Sequence, residues 1–143
     1  MELLIERMKV VLATAHSLYL KAHYYHWNVT GPQFNDYHKF LGEVYEQVFN
    51  SLDEYGEKIR VLGAYAPGSL SRFGELTRIQ DEDTIPAPHD MIYRLSEDNK
   101  ILLIELEATH KYAEALGQLG TMNFLEGKID EHEKLRWMLG AFK

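Results

Sequence analysis

The chain has 143 residues, of which 45% are hydrophobic, and this length and composition fit one folded domain and exclude a disordered protein. It carries 22 acidic and 15 basic side chains and no cysteine, so its formal net charge is −7. The acidic balance excludes a strongly basic nucleic-acid-binding domain. The lack of cysteine excludes disulfides, thiolate zinc sites and iron–sulfur clusters, so any metal must be bound by nitrogen and oxygen ligands.

No apolar run reaches the ~18 residues that a membrane span requires. The N-terminal segment contains Glu2, Glu6 and Arg7 among its apolar residues, which is unlike the apolar core of a signal peptide. We therefore expect a soluble, cytoplasmic protein.

Apolar residues recur every three or four positions along four long segments, which is the period of amphipathic helices. The pattern predicts helices over residues 3–27, 34–62, 89–116 and 123–142. Gly31-Pro32 ends the first helix, Gly63 follows the second, and Gly117 and Gly120 break the third.

Residues 64–88 contain three of the four prolines and an acidic run, and we interpret them as a connection that crosses the bundle. One short helix is expected there, near residues 73–79. No segment alternates in the way that a strand does. The sequence thus predicts an all-α fold in a single domain over residues 1–143, a four-helix bundle with the long crossover of ferritin-like folds.

Four residues in the first two helices form a candidate set of metal ligands. Asp53 and Glu57 are four residues apart, so both carboxylates project from one face of the second helix. His38 lies 15 residues before Asp53, rotated by about 60° from it but displaced by ~22 Å along an unbroken helix. His26 returns towards His38 across the Gly31-Pro32 turn.

One chain cannot bring these histidines and carboxylates to a common metal, but an antiparallel second copy related by a two-fold axis can, twice by symmetry. Two imidazoles and two carboxylates with open positions suit a redox-active iron. The alternative stays open that the Asp53–Glu57 pair is an ordinary solvated helix face and that the histidines are capping or surface residues.

The same residues carry a family resemblance. The segment HWNVTGPQF at residues 26–34, followed by His38, resembles the motif of the Dps family of miniferritins. The segment DEYGEKI at residues 53–59 resembles that family's carboxylate segment, and the spacings 26–38, 38–53 and 53–57 agree with the family without a gap. Residues 62–63, 67–69 and 137–139 extend the resemblance over nearly the whole chain.

The resemblance implies a hollow cage of twelve subunits that oxidises Fe(II), preferentially with hydrogen peroxide, and stores Fe(III) as mineral. It implies that His26 and His38 come from one subunit and Asp53 and Glu57 from its partner. Together they would form a di-iron (Fe2+/Fe3+) site, with Glu57 as the bridge and Asp53 as a terminal ligand. It further implies a ferroxidase activity that protects against oxidative damage.

Other residues near this motif have two interpretations each. Trp27, Tyr24 and Tyr25 either intercept stray oxidising equivalents or are packed aromatic residues. His23 is either an extra ligand or proton carrier, or an interfacial or solvated side chain. Glu126 and Asp130 are candidates for the iron-entry pore, because the family places acidic residues near the start of the last helix.

We expect DNA binding to be weak or absent. Many Dps proteins bind DNA through a Lys- and Arg-rich tail, and the predicted helices leave no such tail. Residues 1–33 sum to +1, residues 34–120 to −8 and residues 121–143 to zero, so no stretch offers a basic patch.

Two other functions compete with iron oxidation. The first is a di-iron carboxylate protein with its site inside one bundle, which needs two Glu-x-x-His motifs. Only Glu107 and His110 form one, because Ile129 stands three residues before His132. The second is a cage that binds DNA or protein and has a vestigial ferroxidase site. The negative charge argues against the DNA form, and the presence of all four expected ligands argues against a vestigial site.

Overall fold

In a computed structural model, which describes residues 1–142, the chain forms five α-helices and no strand. They are α1 (Glu2–Asn28), α2 (Phe34–Val61), α3 (Leu70–Leu76), α4 (Pro88–Ala115) and α5 (Leu119–Ala141). The predicted all-α bundle with a helix-containing crossover is confirmed. None of these helices is both long and apolar enough to cross a membrane.

The long helices form two hairpins, α1–α2 and α4–α5. α1 also packs against α4, and the short α3 lies against α1. The shared core is built from the apolar stripe of each long helix, and each large side chain buried there contributes about 1.5–3 kcal/mol. The largest fully buried side chains are Tyr25, Tyr55, Leu4, Met8, Leu18, Leu41, Ile59, Met91, Leu95, Leu102, Leu106 and Leu125.

The start of α5 differs from the prediction. Gly120 was expected to break the third long helix, but it lies in the first turn of α5, which begins at Leu119 rather than at residue 123. Gly117 alone makes the reversal, because its φ of 66° is a left-handed conformation that glycine adopts without strain. The chain can therefore re-enter a helix two residues later.

The short crossover helix lies three residues earlier than predicted, at Leu70–Leu76 instead of residues 73–79. The Ser69 hydroxyl accepts a hydrogen bond from the Arg72 amide at 3.2 Å, which caps the first turn. The helix ends at Thr77, whose backbone is extended and whose hydroxyl lies 2.7 Å from the Ser17 hydroxyl of α1. A capping residue and a contact with α1 thus set the position of α3.

The crossover is tied to α1 and α4 by a partly buried polar contact around Glu82. The Tyr25 hydroxyl donates to the Glu82 carboxylate at 2.8 Å, and Arg94 of α4 forms an ion pair with the same carboxylate. Burial would raise the pKa of Glu82, but hydrogen bonds from Thr84, Tyr25 and Arg94 together lower it to about 2. The charged carboxylate therefore fastens the crossover to two long helices.

Candidate metal centre

His26 of α1 and His38 of α2 lie face to face where the first hairpin turns. Their ring centroids are 3.8 Å apart, and the ring planes differ by 15°. The turn that brings them together contains two residues with positive φ, Gly31 at 105° and Gln33 at 64°. The prediction that His26 returns towards His38 across this turn is confirmed.

Each histidine is held by the other's backbone. His26 Nδ1 lies 2.7 Å from the His38 carbonyl oxygen, and His38 Nδ1 lies 2.8 Å from the His26 carbonyl oxygen. A carbonyl oxygen can only accept, so both Nδ1 atoms carry the proton and donate. In the neutral rings both Nε2 atoms then keep a free lone pair, which is the arrangement of histidines that bind metals.

Gly42 of α2 makes room for the His26 ring. A Cβ atom at this position would lie 3.0 Å from His26 Cε1 and 3.2 Å from His26 Nδ1. Both distances are shorter than ordinary van der Waals contact, which begins near ~3.5 Å. The ring thus lies directly over a glycine in the interior of α2, and sequence reasoning missed this residue.

The carboxylate half of the candidate site lies farther along α2. Asp53 and Glu57 are both exposed and line one groove together with Phe49, Phe73 and Pro67. A hydrogen bond with Asp53, together with the negative charge of Asp53, raises the pKa of Glu57. The two carboxyl groups therefore lie close together, so that one cation can contact both.

The two halves are not brought together within one chain. α2 is continuous from Phe34 to Val61, so His38 and Asp53 remain ~22 Å apart along its axis. Within residues 1–142, no three His, Asp or Glu side chains are grouped closely enough to hold a metal ion. Any site that uses all four residues must be completed by a second chain.

A row of aromatic rings joins α1 to α2 and consists of His26, Tyr45, Tyr19 and Phe49. His23 is stacked on Tyr45 with centroids 3.9 Å apart, and its Nδ1 lies 3.2 Å from the Tyr19 hydroxyl. Burial, followed by the charge of nearby His26, lowers the pKa of His23. His23 is therefore half-buried and packed between aromatic side chains.

The three aromatic residues of the motif have different surroundings. Tyr25 is fully buried and binds Glu82, while the Tyr24 hydroxyl donates to the Thr84 carbonyl oxygen at 2.9 Å. These contacts favour packing and anchoring of the crossover as the roles of both tyrosines. Trp27 is 65% exposed and lies 4.0 Å from the His23 ring.

Two histidines elsewhere in the bundle pair with other side chains. His110 Nε2 lies 2.8 Å from the Glu126 carboxylate, which joins α4 to α5. His132 is buried, and its Nδ1 lies 2.7 Å from the Asn99 side-chain oxygen. These pairings disfavour a di-iron site inside the bundle. Asp130 is exposed, and a pore role for Glu126 and Asp130 stays a prediction.

The aromatic row has a sequence signal that could have revealed it. Positions 16, 19, 23 and 26 of α1 recur at three and four residues and are all His or Tyr, so they form one stripe on that helix. The position of Gly42 under the His26 ring has no comparable signal, because it depends on how closely α1 approaches α2.

Comparison with known proteins agrees with this architecture. Residues 5–142 match the ferritin-like domain family. The chain is 33% identical over 133 residues to an uncharacterized low-temperature-induced protein of Nostoc sp., covering 92% of this chain and 74% of that protein. It is also 33% identical over 137 residues to the DNA protection during starvation protein of Helicobacter pylori, covering 95% of each chain.

A solved structure extends the similarity to three dimensions. The crystal structure of the Dps protein from Vibrio cholerae O1 superimposes with a TM-score of 0.93 and 29% identity, covering 99% of this chain and 89% of that chain. That protein is a member of a broad superfamily of ferritin-like diiron-carboxylate proteins. With the ferritin-like match over nearly its full length, the all-α bundle and the histidine pair at the first turn, this chain belongs to the ferritin-like family as a Dps-type miniferritin.

Proposed function

We propose that the protein oxidises Fe(II) with hydrogen peroxide at sites that two subunits complete, and stores the ferric product as mineral inside a cage of twelve chains. Each site uses His26 and His38 of one subunit with the partner's Asp53 and the partner's Glu57. The ferritin-like family supports iron storage and protection in general, and the geometry of this chain supports the finer assignment.

The histidine pair is the observation that carries the proposal. Its two reciprocal hydrogen bonds leave both Nε2 atoms free on rings that are already fixed in position. Fixed rings lose little conformational freedom when they bind a metal ion, and this favours binding.

The carboxylate pair supplies the second half of the proposed iron site. Asp53 and Glu57 are exposed on one face of α2, so a partner subunit can approach both carboxylates. Carboxylates are hard ligands and stabilise Fe(III) relative to Fe(II), which favours oxidation at this site. In the proposed site Glu57 bridges two irons and Asp53 binds one of them.

The chemistry balances with two irons per peroxide. Two Fe(II) and two protons reduce one H₂O₂ to two waters and leave two Fe(III). Because both electrons are delivered at one place, no hydroxyl radical is released, and this is how the reaction protects the cell.

Mixed assembly tests whether the site lies between subunits. His38→Ala and Asp53→Ala chains are each expected to lose Fe(II) oxidation when assembled alone. In a mixed dimer one site has both defects and the other has neither. Random mixing gives such dimers half of the time, so co-assembly should restore ~25% of the parental sites.

The measurement is anaerobic Fe(II) loading, followed by peroxide and absorption of the ferric product. Mixed assemblies that stay as inactive as the separate variants would contradict a shared site. Separate variants that oxidise iron as fast as the parent would contradict the ligand assignment, and so would elution of the parent at the mass of a monomer. Glu107→Gln is the matched control, because Glu107 lies outside the proposed site and should leave oxidation unchanged.

A further inference from the structure

A nearly buried lysine lies between two cavities in the groove that α2 and α5 form. The Lys128 side chain of α5 is 8% exposed, and its ammonium group forms ion pairs with Glu54 of α2 and, at 3.3 Å, with Glu131. The same three residues line a cavity of about 440 Å³ on one side and a cavity of about 510 Å³ on the other. Together they form a partition between the two cavities, the Lys128 wall.

The smaller cavity adjoins the candidate iron site. Glu57 lines both this cavity and the groove that contains Asp53. The larger cavity lies towards the other end of α2, where Glu43 and Asn50 line it. An ion that leaves Glu57 along the groove between α2 and α5 therefore meets the Lys128 wall about one helical turn away.

A buried hydroxyl group beside the wall lacks a hydrogen-bond partner. Tyr55 is fully buried, and within residues 1–142 its hydroxyl group has no partner. Lys128 Nζ lies 6.0 Å from the centre of the Tyr55 ring. Burial, followed by the charges of Glu131 and Glu54, raises the pKa of Tyr55, so both carboxylates lie near this hydroxyl group. A hydrated cation bound by the two carboxylates would bring water molecules that can pair with it, which the ammonium group alone does not do.

The Lys128 ammonium group can be displaced, but only by an ion that binds the two carboxylates more strongly. It stands at the end of a flexible four-carbon chain, and both flanking cavities have room for it. Attraction to the carboxylates is proportional to the charge of the ion, and hard carboxylate ligands favour Fe(III) over Fe(II). A trivalent ion therefore displaces the ammonium group far more readily than a divalent ion does.

We propose that Glu54 and Glu131 form a second cation site, which Lys128 closes to Fe(II) and which opens to Fe(III). The Tyr55 hydroxyl group pairs with water bound to the ion. This inference rests on the proposed function, because Glu57 transfers the ferric product of the iron site to the second site. The ammonium group moves into a flanking cavity and keeps its charge, so no proton or electron is transferred. The Lys128 wall thus lets the product leave and retains the substrate.

Binding of Tb(III) to the assembled, iron-free protein tests the second site without redox chemistry. Tb(III) is a hard trivalent ion, and a nearby tyrosine excites its luminescence by energy transfer. The parent should show Tb(III) emission that a large excess of Mn(II) does not remove, and Tyr55→Phe should lose much of it. The fold should tolerate this substitution, because the hydroxyl group that it removes has no partner within residues 1–142.

Substitutions of Lys128 test whether its charge closes the site. Lys128→Met removes the charge and should take up one additional Mn(II) per chain, measured by electron paramagnetic resonance of the free ion. Lys128→Arg keeps the charge and should exclude that Mn(II) as the parent does. Lys134→Met is the matched control, because Lys134 lines the larger cavity but is not part of the Lys128 wall. The control should bind both ions as the parent does.

Repeated turnover tests the ferric role. The Glu54→Gln plus Glu131→Gln variant is given two successive loads of Fe(II) and peroxide, and the oxidation rate of each load is measured. Relative to its first load, the variant should oxidise the second several-fold more slowly than the parent does, because Fe(III) leaves the iron site slowly. A ratio of the two rates equal to that of the parent would overturn the ferric role.

Two results would overturn the second site itself. One is Tb(III) emission that is the same in Tyr55→Phe as in the parent, and the other is a Lys128→Met variant that takes up no additional Mn(II). Both leave the proposed function intact, because neither measurement involves iron oxidation. Failure of the parent to oxidise Fe(II) would instead refute the proposed function and the ferric role with it, even where Tb(III) binds as expected.

Discussion

Gly42→Ala separates the role of the histidine pair from the stability of the fold. The new Cβ would lie 3.0 Å from His26 Cε1, whereas relaxed carbon contacts begin near ~3.5 Å, so the ring must move by about 0.5 Å. The 2.7 Å bond from His26 Nδ1 then stretches towards the limit of hydrogen bonding, and the reciprocal bond from His38 is disturbed with it.

Two opposing contributions to the free energy of unfolding follow from this substitution. Alanine in place of glycine in a helix interior adds about 1 kcal/mol. Weakening two hydrogen bonds removes about 1 kcal/mol for each. The net change should therefore lie between zero and a loss of about 1 kcal/mol. Displacement of groups that orient a metal ligand typically costs ~10–100-fold in affinity, so Fe(II) binding should weaken by that factor.

Gly127→Ala is the matched control. Gly127 lies in the interior of α5, and a Cβ there meets nothing within 4 Å. The control should gain about 1 kcal/mol and bind Fe(II) as the parent does. Urea denaturation measures the first quantity, and anaerobic Fe(II) calorimetry of the assembled protein measures the second. The reasoning is refuted if Gly42→Ala gains as much stability as the control and keeps the parental affinity.

Three further predictions concern pH, the crossover and DNA. Burial, and then the charge of Lys128, lowers the pKa of His132 from 6.5 to about 4. Between pH 4 and 6.5 His132 binds a proton in the unfolded chain but not in the folded chain. The free energy of unfolding should therefore fall by up to about 3 kcal/mol as the pH drops from 6.5 to 4. A urea midpoint that falls as steeply with pH in the His132→Gln variant would show that His132 is not the cause. Tyr25→Phe removes the hydrogen bond to the charged Glu82 and should lower the free energy of unfolding in urea by about 1.5–3 kcal/mol. A change under about 0.5 kcal/mol would show that Arg94 alone holds the crossover in place. At moderate salt the assembled protein should not retard duplex DNA in a gel, because the net charge is −7 per chain; retardation that disappears at high salt would reveal a basic surface formed by assembly.

The helices were predictable because burial imposes a repeating pattern on the sequence. α2 and α4 were predicted to within one residue at each end, since their apolar stripes stop at turns. Errors arose where a single residue outweighs the pattern. Ser69 caps α3, which therefore begins three residues before the predicted start, and the left-handed Gly117 makes the turn that was attributed partly to Gly120.

The candidate site was predictable in its parts but not in its geometry. Spacing places Asp53 and Glu57 on one face of α2 and brings His26 back towards His38, and the family resemblance adds the assignment of all four to one di-iron site. The tautomers of the two histidines follow from carbonyl groups that only the folded turn brings within 2.8 Å. Gly42 is likewise invisible in the sequence, because a glycine in a helix reveals nothing of which ring will lie over it.

The straightness of α2 connects these features. Because the helix is unbroken between His38 and Asp53, a single chain holds two half-sites that it cannot join. In the proposed function iron oxidation is thereby tied to assembly, because an isolated subunit cannot form a site from all four residues. The same length that separates the half-sites gives the aromatic row its two ends, one at His26 and one at Phe49. If a partner chain completes each site as proposed, the interface between two chains, and not the single chain, is the unit that binds and oxidises iron.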